Sequence, residues 1–226
     1  MLAYRYPLIA REGWLWITPT ILLALLLQLT AGWLAVPLWL LAIVLLFLFR
    51  DPARRVPAAP LGVVSPVDGR VTRIAPVYDG YAKRPAICVS IEMGLTGVYS
   101  VRSPMEGKVV EQWFAAPRRI GDNEHQIFTS GKTFVQWIQS DAADDVVLVM
   151  DLTLRRRTPR CYAHSGERIG QGQRCGYIRF GGATVEILLP ANARVGVQEG
   201  DEVQAGSDIL ATLLHDRITP PKTVAG

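Results

Sequence analysis

The sequence predicts a mainly β protein: an antiparallel β-sandwich or barrel of pseudo-repeated turn–strand units, preceded by an N-terminal transmembrane helical hairpin. Three observations carry that expectation. Residues 14–49 contain no charged side chain, and two glycine-punctuated turn motifs each occur twice. Beyond residue 60 the apolar residues fall in short β-branched runs, without the length or period of long helices. The 226 residues divide accordingly into a membrane hairpin at 1–50, a linker at 51–61 and a β domain at 62–226.

The uncharged run is 36 residues long. As one straight helix it would measure about 54 Å, against a hydrocarbon core of about 30 Å. Two spans of about 17 residues fit better. Ala31-Gly32-Trp33 offers the break, and Pro37 suits the first turn of a second helix. Trp14, Trp16, Trp33 and Trp39 suit interfacial positions. Arg5 and Arg11 precede the run, Arg50, Arg54 and Arg55 follow it, and the bridging segment has no basic residue. That asymmetry predicts both ends, and the polar domain, on the cytoplasmic side of the inner membrane. A cleaved signal peptide would have an apolar region of only about 7–15 residues.

Pro52, Pro57 and Pro60 leave residues 51–61 little capacity for helix. In the β domain, Ser65-Pro-Val-Asp-Gly-Arg-Val71 recurs 38 residues later as Ser103-Pro-Met-Glu-Gly-Lys-Val109. Gly166-Glu-Arg-Ile-Gly-Gln-Gly172 recurs 34 residues later as Gly200-Asp-Glu-Val-Gln-Ala-Gly206. Paired units of this kind suit a small antiparallel barrel or sandwich. Strands are expected at 86–91, 195–197 and 209–213, and a hairpin at 134–138 and 146–152 around an acidic tip, Asp141-Ala-Ala-Asp-Asp145. On physical grounds alone residues 176–190 read as one strand kinked at Gly181-Gly182.

Composition excludes several classes. Residues 1–50 hold three of the 24 basic side chains and one of the 20 acids, leaving 21 against 19 in the polar part. That balance lacks the concentrated basic face that nucleic acid asks for. Cys88, Cys161 and Cys175 form no Cys-x-x-Cys, and His125, His164 and His215 are widely separated, so neither a disulfide framework nor a metal site is expected. The glycine turns resemble those of biotinyl and lipoyl carriers, but no modifiable lysine motif sits at a hairpin tip.

Taken together, Ile9-Ala-Arg-Glu-Gly-Trp14, Phe49-Arg-Asp-Pro52, Ser65-Pro-Val-Asp-Gly69, Arg160-Cys-Tyr162 and Gly176-Tyr-Ile-Arg-Phe-Gly181 resemble, in order and spacing, the short phosphatidylserine decarboxylase proenzymes. The resemblance implies a self-processing lipid enzyme. In that family a serine hydroxyl attacks the preceding carbonyl and the chain splits, leaving a pyruvoyl cofactor that decarboxylates phosphatidylserine to phosphatidylethanolamine. Serine, histidine and aspartate act together in the cleavage.

Carried over residue by residue, the aspartate position is Asp68, which is equally a turn residue of Asp-Gly. The histidine position, in Thr96-Gly-Val-Tyr-Ser-Val-Arg-Ser-Pro104, is Tyr99, and a phenol that ionises near pH ~10 is a poor base at neutral pH. The serine position is Ala183, behind one extra glycine, so the cleavage region is Gly182, Ala183 and Thr184. Thr184 could act, leaving a 2-oxobutanoyl group, only after a one-residue slip to the other strand face. No pyruvoyl group is therefore expected in this chain. His125 and His164 are the remaining candidate bases. Arg155, Arg156, Arg157 and Arg160 form a basic cluster fit for a lipid phosphodiester or for a solvated face. Two functions stay open: a membrane-anchored decarboxylase of phospholipid biosynthesis, or an inactive paralogue that binds lipid or a partner enzyme. The expected partners are a phospholipid membrane and either a second copy or an active paralogue.

Overall fold

The computed structural model describes residues 8–94, 98–115, 119–120, 127–128, 133–151, 160–178 and 182–214. Helix α1 (Arg11–Ala31), a 3-10 turn (Gly32–Ala35) and helix α2 (Val36–Leu48) form an antiparallel hairpin. The chain reverses at Gly32, whose φ of 52° is open to glycine. Pro37 stands at the start of α2, where a missing N–H leaves no helical bond unmade. The arms are unequal, 21 residues against four plus 13, rather than two equal spans of about 17. Ala24, Ala35 and Ala42 are buried, small side chains that let the arms approach. Leu22, Leu26, Leu29, Leu40 and Ile43 point outward. The stretch Arg11–Leu48 is long and apolar enough to cross a membrane. Its base is closed by backbone bonds, Ala10 N–H to Phe49 O at 2.8 Å and Asp51 N–H to Leu8 O at 2.7 Å.

The remainder is β. Strands β1 (Gly62–Val64), β2 (Gly69–Asp79), β3 (Arg84–Met93), β4 (Ser100–Arg102), β5 (Gly107–Ala115), β6 (Arg119–Ile120), β7 (Ile127–Phe128) and β8 (Thr133–Gln139) lead into β9 (Asp145–Asp151). Then follow β10 (Arg160–Cys161), β11 (Arg168–Ile169), β12 (Arg174–Tyr177), β13 (Thr184–Pro190), β14 (Arg194–Val195), β15 (Glu202–Val203) and β16 (Ile209–Thr212). Eight of them form a curled antiparallel sheet in the order β11-β5-β8-β9-β13-β3-β2-β15. Two three-stranded sheets, β1-β16-β14 and β10-β12-β4, complete the domain with the short pair β6-β7.

The expected hairpin is β8–β9, and its acidic tip is put to use: the Asp145 carboxylate accepts from Trp137 Nε1 and Gln139 Nε2, both at 2.9 Å. Matching backbone bonds attach each Ser-Pro turn to its own glycine turn. Gly206 N–H donates to Ser65 O at 2.7 Å and Gly172 N–H to Ser103 O at 2.9 Å, while Val64 and Arg102 N–H groups reach across to Pro104 and Pro66 carbonyls at 2.8 Å.

The single kinked strand expected at 176–190 is not what forms. Tyr177 ends β12 in a three-stranded sheet, and Thr184 begins β13 in the eight-stranded one. The left-handed φ of 66° at Gly182 belongs to a crossing between sheets, not to a bulge within one. The main core runs between the large sheet and the smaller ones and takes in Ile17 and Phe49 from the hairpin.

Candidate functional site

Position 183 is defined by strand pairing. β13 is hydrogen-bonded on both edges, with Thr184 opposite Glu92 of β3 and Asp151 of β9. One step earlier, Ala183 O accepts from Met93 N–H at 3.0 Å and Gly182 N–H donates to Met93 O at 3.3 Å. The Ala183 methyl is 4% exposed and packs in the main core with Val185 and Ile187. Side chains alternate along a strand, so Thr184 faces the other way. Turning its hydroxyl to the core would break register with two neighbours at once.

Tyr99 lies just before β4, buried, and its carbonyl accepts from Ile178 N–H at 2.8 Å. Its ring stands edge-on to Tyr177, centroids 6.3 Å apart, and Tyr177 stacks on Phe49 at 6.5 Å. Backbone bonds thus join Met93 to Gly182 and Ala183, and Tyr99 to Ile178, and Tyr99 and Ala183 belong to the same buried core.

Asp68 is next to Gly69, which pairs with the same Met93. A Cβ at Gly69 would lie 2.2 Å from Glu92 O, so only glycine lets the strands close here. The Asp68 carboxylate is already engaged. One oxygen accepts from Ala205 N–H at 2.7 Å, and the other pairs with Arg54 at 2.6 Å. Its side chain clamps the linker and the 204–205 turn to the β domain.

Beneath Tyr177 lies a buried ionic network that sequence reasoning did not find. Arg102 pairs with Asp51 at 3.1 Å, and Ser100 Oγ donates to the same carboxylate oxygen at 3.0 Å. Arg174 pairs with Glu12 at 3.0 Å and approaches Asp51 at 3.5 Å. The Tyr162 hydroxyl donates to Glu12, and burial together with that bond pushes the Tyr162 phenol up. The Arg174 guanidinium also sits between two rings, 5.1 Å from Tyr162 and 5.5 Å from Tyr177. Two cations and two anions thus cancel in the interior, as buried charges must. Glu12 lies in the first turn of α1 and Asp51 follows α2, so the network fastens the hairpin base to β4 and β12. Close packing reinforces it: a Cβ at Gly13 would lie 2.6 Å from that of Phe49. The available signal was an acid at each edge of a 36-residue uncharged run.

Of the basic cluster, Arg160 lies exposed on β10, and Arg155, Arg156 and Arg157 fall outside the described residues, as does His125. His164 is 72% exposed, 3.6 Å from Glu167. Among the described residues no three His, Cys, Asp or Glu side chains are grouped to hold a metal. Burial pushes the thiols of Cys88 and Cys161 up to about 12. Of residues 182–184, Thr184 alone carries a hydroxyl, and it faces the opposite side of β13 from the buried Ala183 methyl.

The family model for phosphatidylserine decarboxylase matches residues 41–211. The chain is 39% identical over 209 residues to a phosphatidylserine decarboxylase proenzyme of Nitrosomonas europaea, covering 92% of this chain and 96% of that one. It is 39% identical over 212 residues to the proenzyme of Aromatoleum aromaticum, covering 93% and 98%. Identity to the proenzyme of Cupriavidus pinatubonensis is 38% over 212 residues, covering 93% and 97%. No solved structure matches.

Proposed function

Because the chain belongs to the phosphatidylserine decarboxylase family, we propose that it acts in phospholipid metabolism as a membrane-anchored member that binds phospholipid without processing itself. One observation carries this: position 183 holds a buried methyl where the family chemistry needs a hydroxyl. Tyr99 compounds the loss, since a buried phenol is a poor proton acceptor at neutral pH. Asp68, bound by Arg54 and Ala205, orients a turn rather than a base. Thr184 is held out of reach by its register. The helical hairpin spans the membrane with both ends on the cytoplasmic side, and reporter fusions at residues 3 and 60 should both read cytoplasmic. The partner is a phospholipid bilayer, shared with a second copy or with an active paralogue.

The names of the relatives favour a second reading, an active decarboxylase converting phosphatidylserine to phosphatidylethanolamine and carbon dioxide. Intact-mass measurement on the purified full chain separates the two. A single species at 24.9 kDa, with no Schiff base trapped by borohydride in the presence of phosphatidylserine, supports the unprocessed reading. A clean cut before Thr184 would overturn it.

A further inference from the structure

The base of the hairpin is formed by residues 8–12, 49–52 and 160–162. The Ile9–Arg50 bridge closes its first two segments, and the Tyr162 bond to Glu12 ties in the third. Counted from the sequence, these segments carry three basic side chains and two acidic ones. Their exposure is one-sided. Glu12 and Asp51 are 6% and 1% exposed, and each is neutralised by an arginine of the β domain. Arg11, Arg50 and Arg160 are all exposed. The charge these segments present outward is therefore entirely positive.

The three arginines lie on the adjoining segments of this base. Arg160 and Tyr162 stand two residues apart, and Tyr162 reaches Glu12, the neighbour of Arg11. The Arg50 guanidinium folds back over the Phe47 ring at 4.1 Å, toward the apolar arm. Arg11 occupies the first residue of α1, where the helix dipole disfavours a cation and Ala10 supplies no side-chain cap. An anion at that place would relieve both.

We infer that Arg11, Arg50 and Arg160 form a basic collar around the hairpin base that binds the phosphate groups of anionic bilayer lipids. The inference rests on the hairpin being inserted in a membrane. At that depth the collar lies where the apolar stretch ends and headgroups begin, and guanidinium groups suit phosphate through paired N–H donors. Burying the two acids is what turns a mixed-charge junction into an anion-selective one.

The test uses the full chain in bilayers of phosphatidylcholine, with quenching of its tryptophans by brominated phosphatidylglycerol compared with brominated phosphatidylcholine. Trp14 and Trp16 report from the base, both exposed. The wild-type chain should favour phosphatidylglycerol by about fivefold or more, the effect expected of one basic residue at a membrane surface. The Arg11→Gln/Arg50→Gln/Arg160→Gln variant should bring the preference within about twofold. Arg70→Gln, which removes an exposed arginine paired with Glu202 on β15, should leave it unchanged. A preference retained by the triple variant, absent from the wild type, or lost equally in Arg70→Gln would overturn the collar. Flotation with neutral phosphatidylcholine vesicles tests insertion separately. A chain that fails to float removes the hairpin reading and the collar with it, whereas one that floats without lipid preference removes the collar alone.

Discussion

Replacing Arg102 by Met in the full chain tests whether the junction between hairpin and β domain is held by charge pairing or by shape alone. Arg102 is 2% exposed, and Met keeps much of its length without its charge. Its guanidinium lies 3.1 Å from Asp51 and donates to Gly172 O at 3.2 Å. Opposite charges at that separation attract by about 5 kcal/mol at an effective dielectric of about 20. Desolvation of both groups consumes most of that gain, so the intact pair contributes little net stability. Removing one member is different, because Asp51 stays buried with its charge; breaking such a pair costs about 3–5 kcal/mol. Ser100 at 3.0 Å and Arg174 at 3.5 Å still serve that carboxylate, which places the expected loss near ~3 kcal/mol. For a chain of this size the melting point should fall by about 6–12 °C, followed by circular dichroism in a mild detergent. Asp51→Asn combined with Arg102→Met should cost less than the sum of the single changes, since the double variant leaves no lone charge at that pair. A fall below about 2 °C, or strict additivity, would refute the charge-pairing account.

Two further outcomes follow from the site. Ala183→Ser alone should leave the chain whole on a denaturing gel, and adding Tyr99→His should raise cleavage; full cleavage in the single variant would show that no base at position 99 is needed. The Cys88 thiol, raised by burial and then by the nearby Glu186 charge to about 12 from 9.0, should ionise in the unfolded chain well before it does in the folded one. Its contribution is therefore complete below pH 9 and is lost as pH rises toward 12, by at most about 1.4 kcal/mol per pH unit. Denaturant midpoints compared between wild type and Cys88→Ala should diverge between pH 8 and pH 10, and parallel curves would count against that burial.

Much of the architecture was legible because it rests on local chemistry. The break at Gly32, Pro37 at a helix start, the β8–β9 hairpin and β3 follow from uncharged length, turn residues and β-branched runs. The glycine turns were legible as motifs, and their backbone bonds to the Ser-Pro turns could be read only in three dimensions. The sheet change at Gly182 was hidden because a kinked strand and a crossing share the same glycine signal. What decides between them is the partner of each flanking run, β4 for Tyr177 and β3 for Thr184. The ionic network was hidden for a similar reason. Glu12 and Arg174 are 162 residues apart, and nothing local distinguishes a buried arginine from an exposed one.

Positions 99 and 183 differ from the rest of the framework in a way that bears on function. The parts that hold the molecule together are complete: Glu12 and Asp51 have their arginines, Gly13 admits Phe49, and Asp68 has both oxygens occupied. On the proposed reading, the polar groups of the family pattern give way at these two positions to a methyl and a phenol, each in the main core. A buried hydroxyl or imidazole needs a hydrogen-bond partner, and leaving one unmade costs about 1–3 kcal/mol. Ala183 removes that requirement, and Tyr99 adds an edge-on contact with Tyr177. On that reading Ala183 would favour stability by removing a buried hydroxyl, whereas the Tyr99 phenol keeps a polar group in the core. Lipid preference would serve an active enzyme equally well, so the unprocessed function turns on the intact mass of the full chain, and the triple variant decides the collar alone.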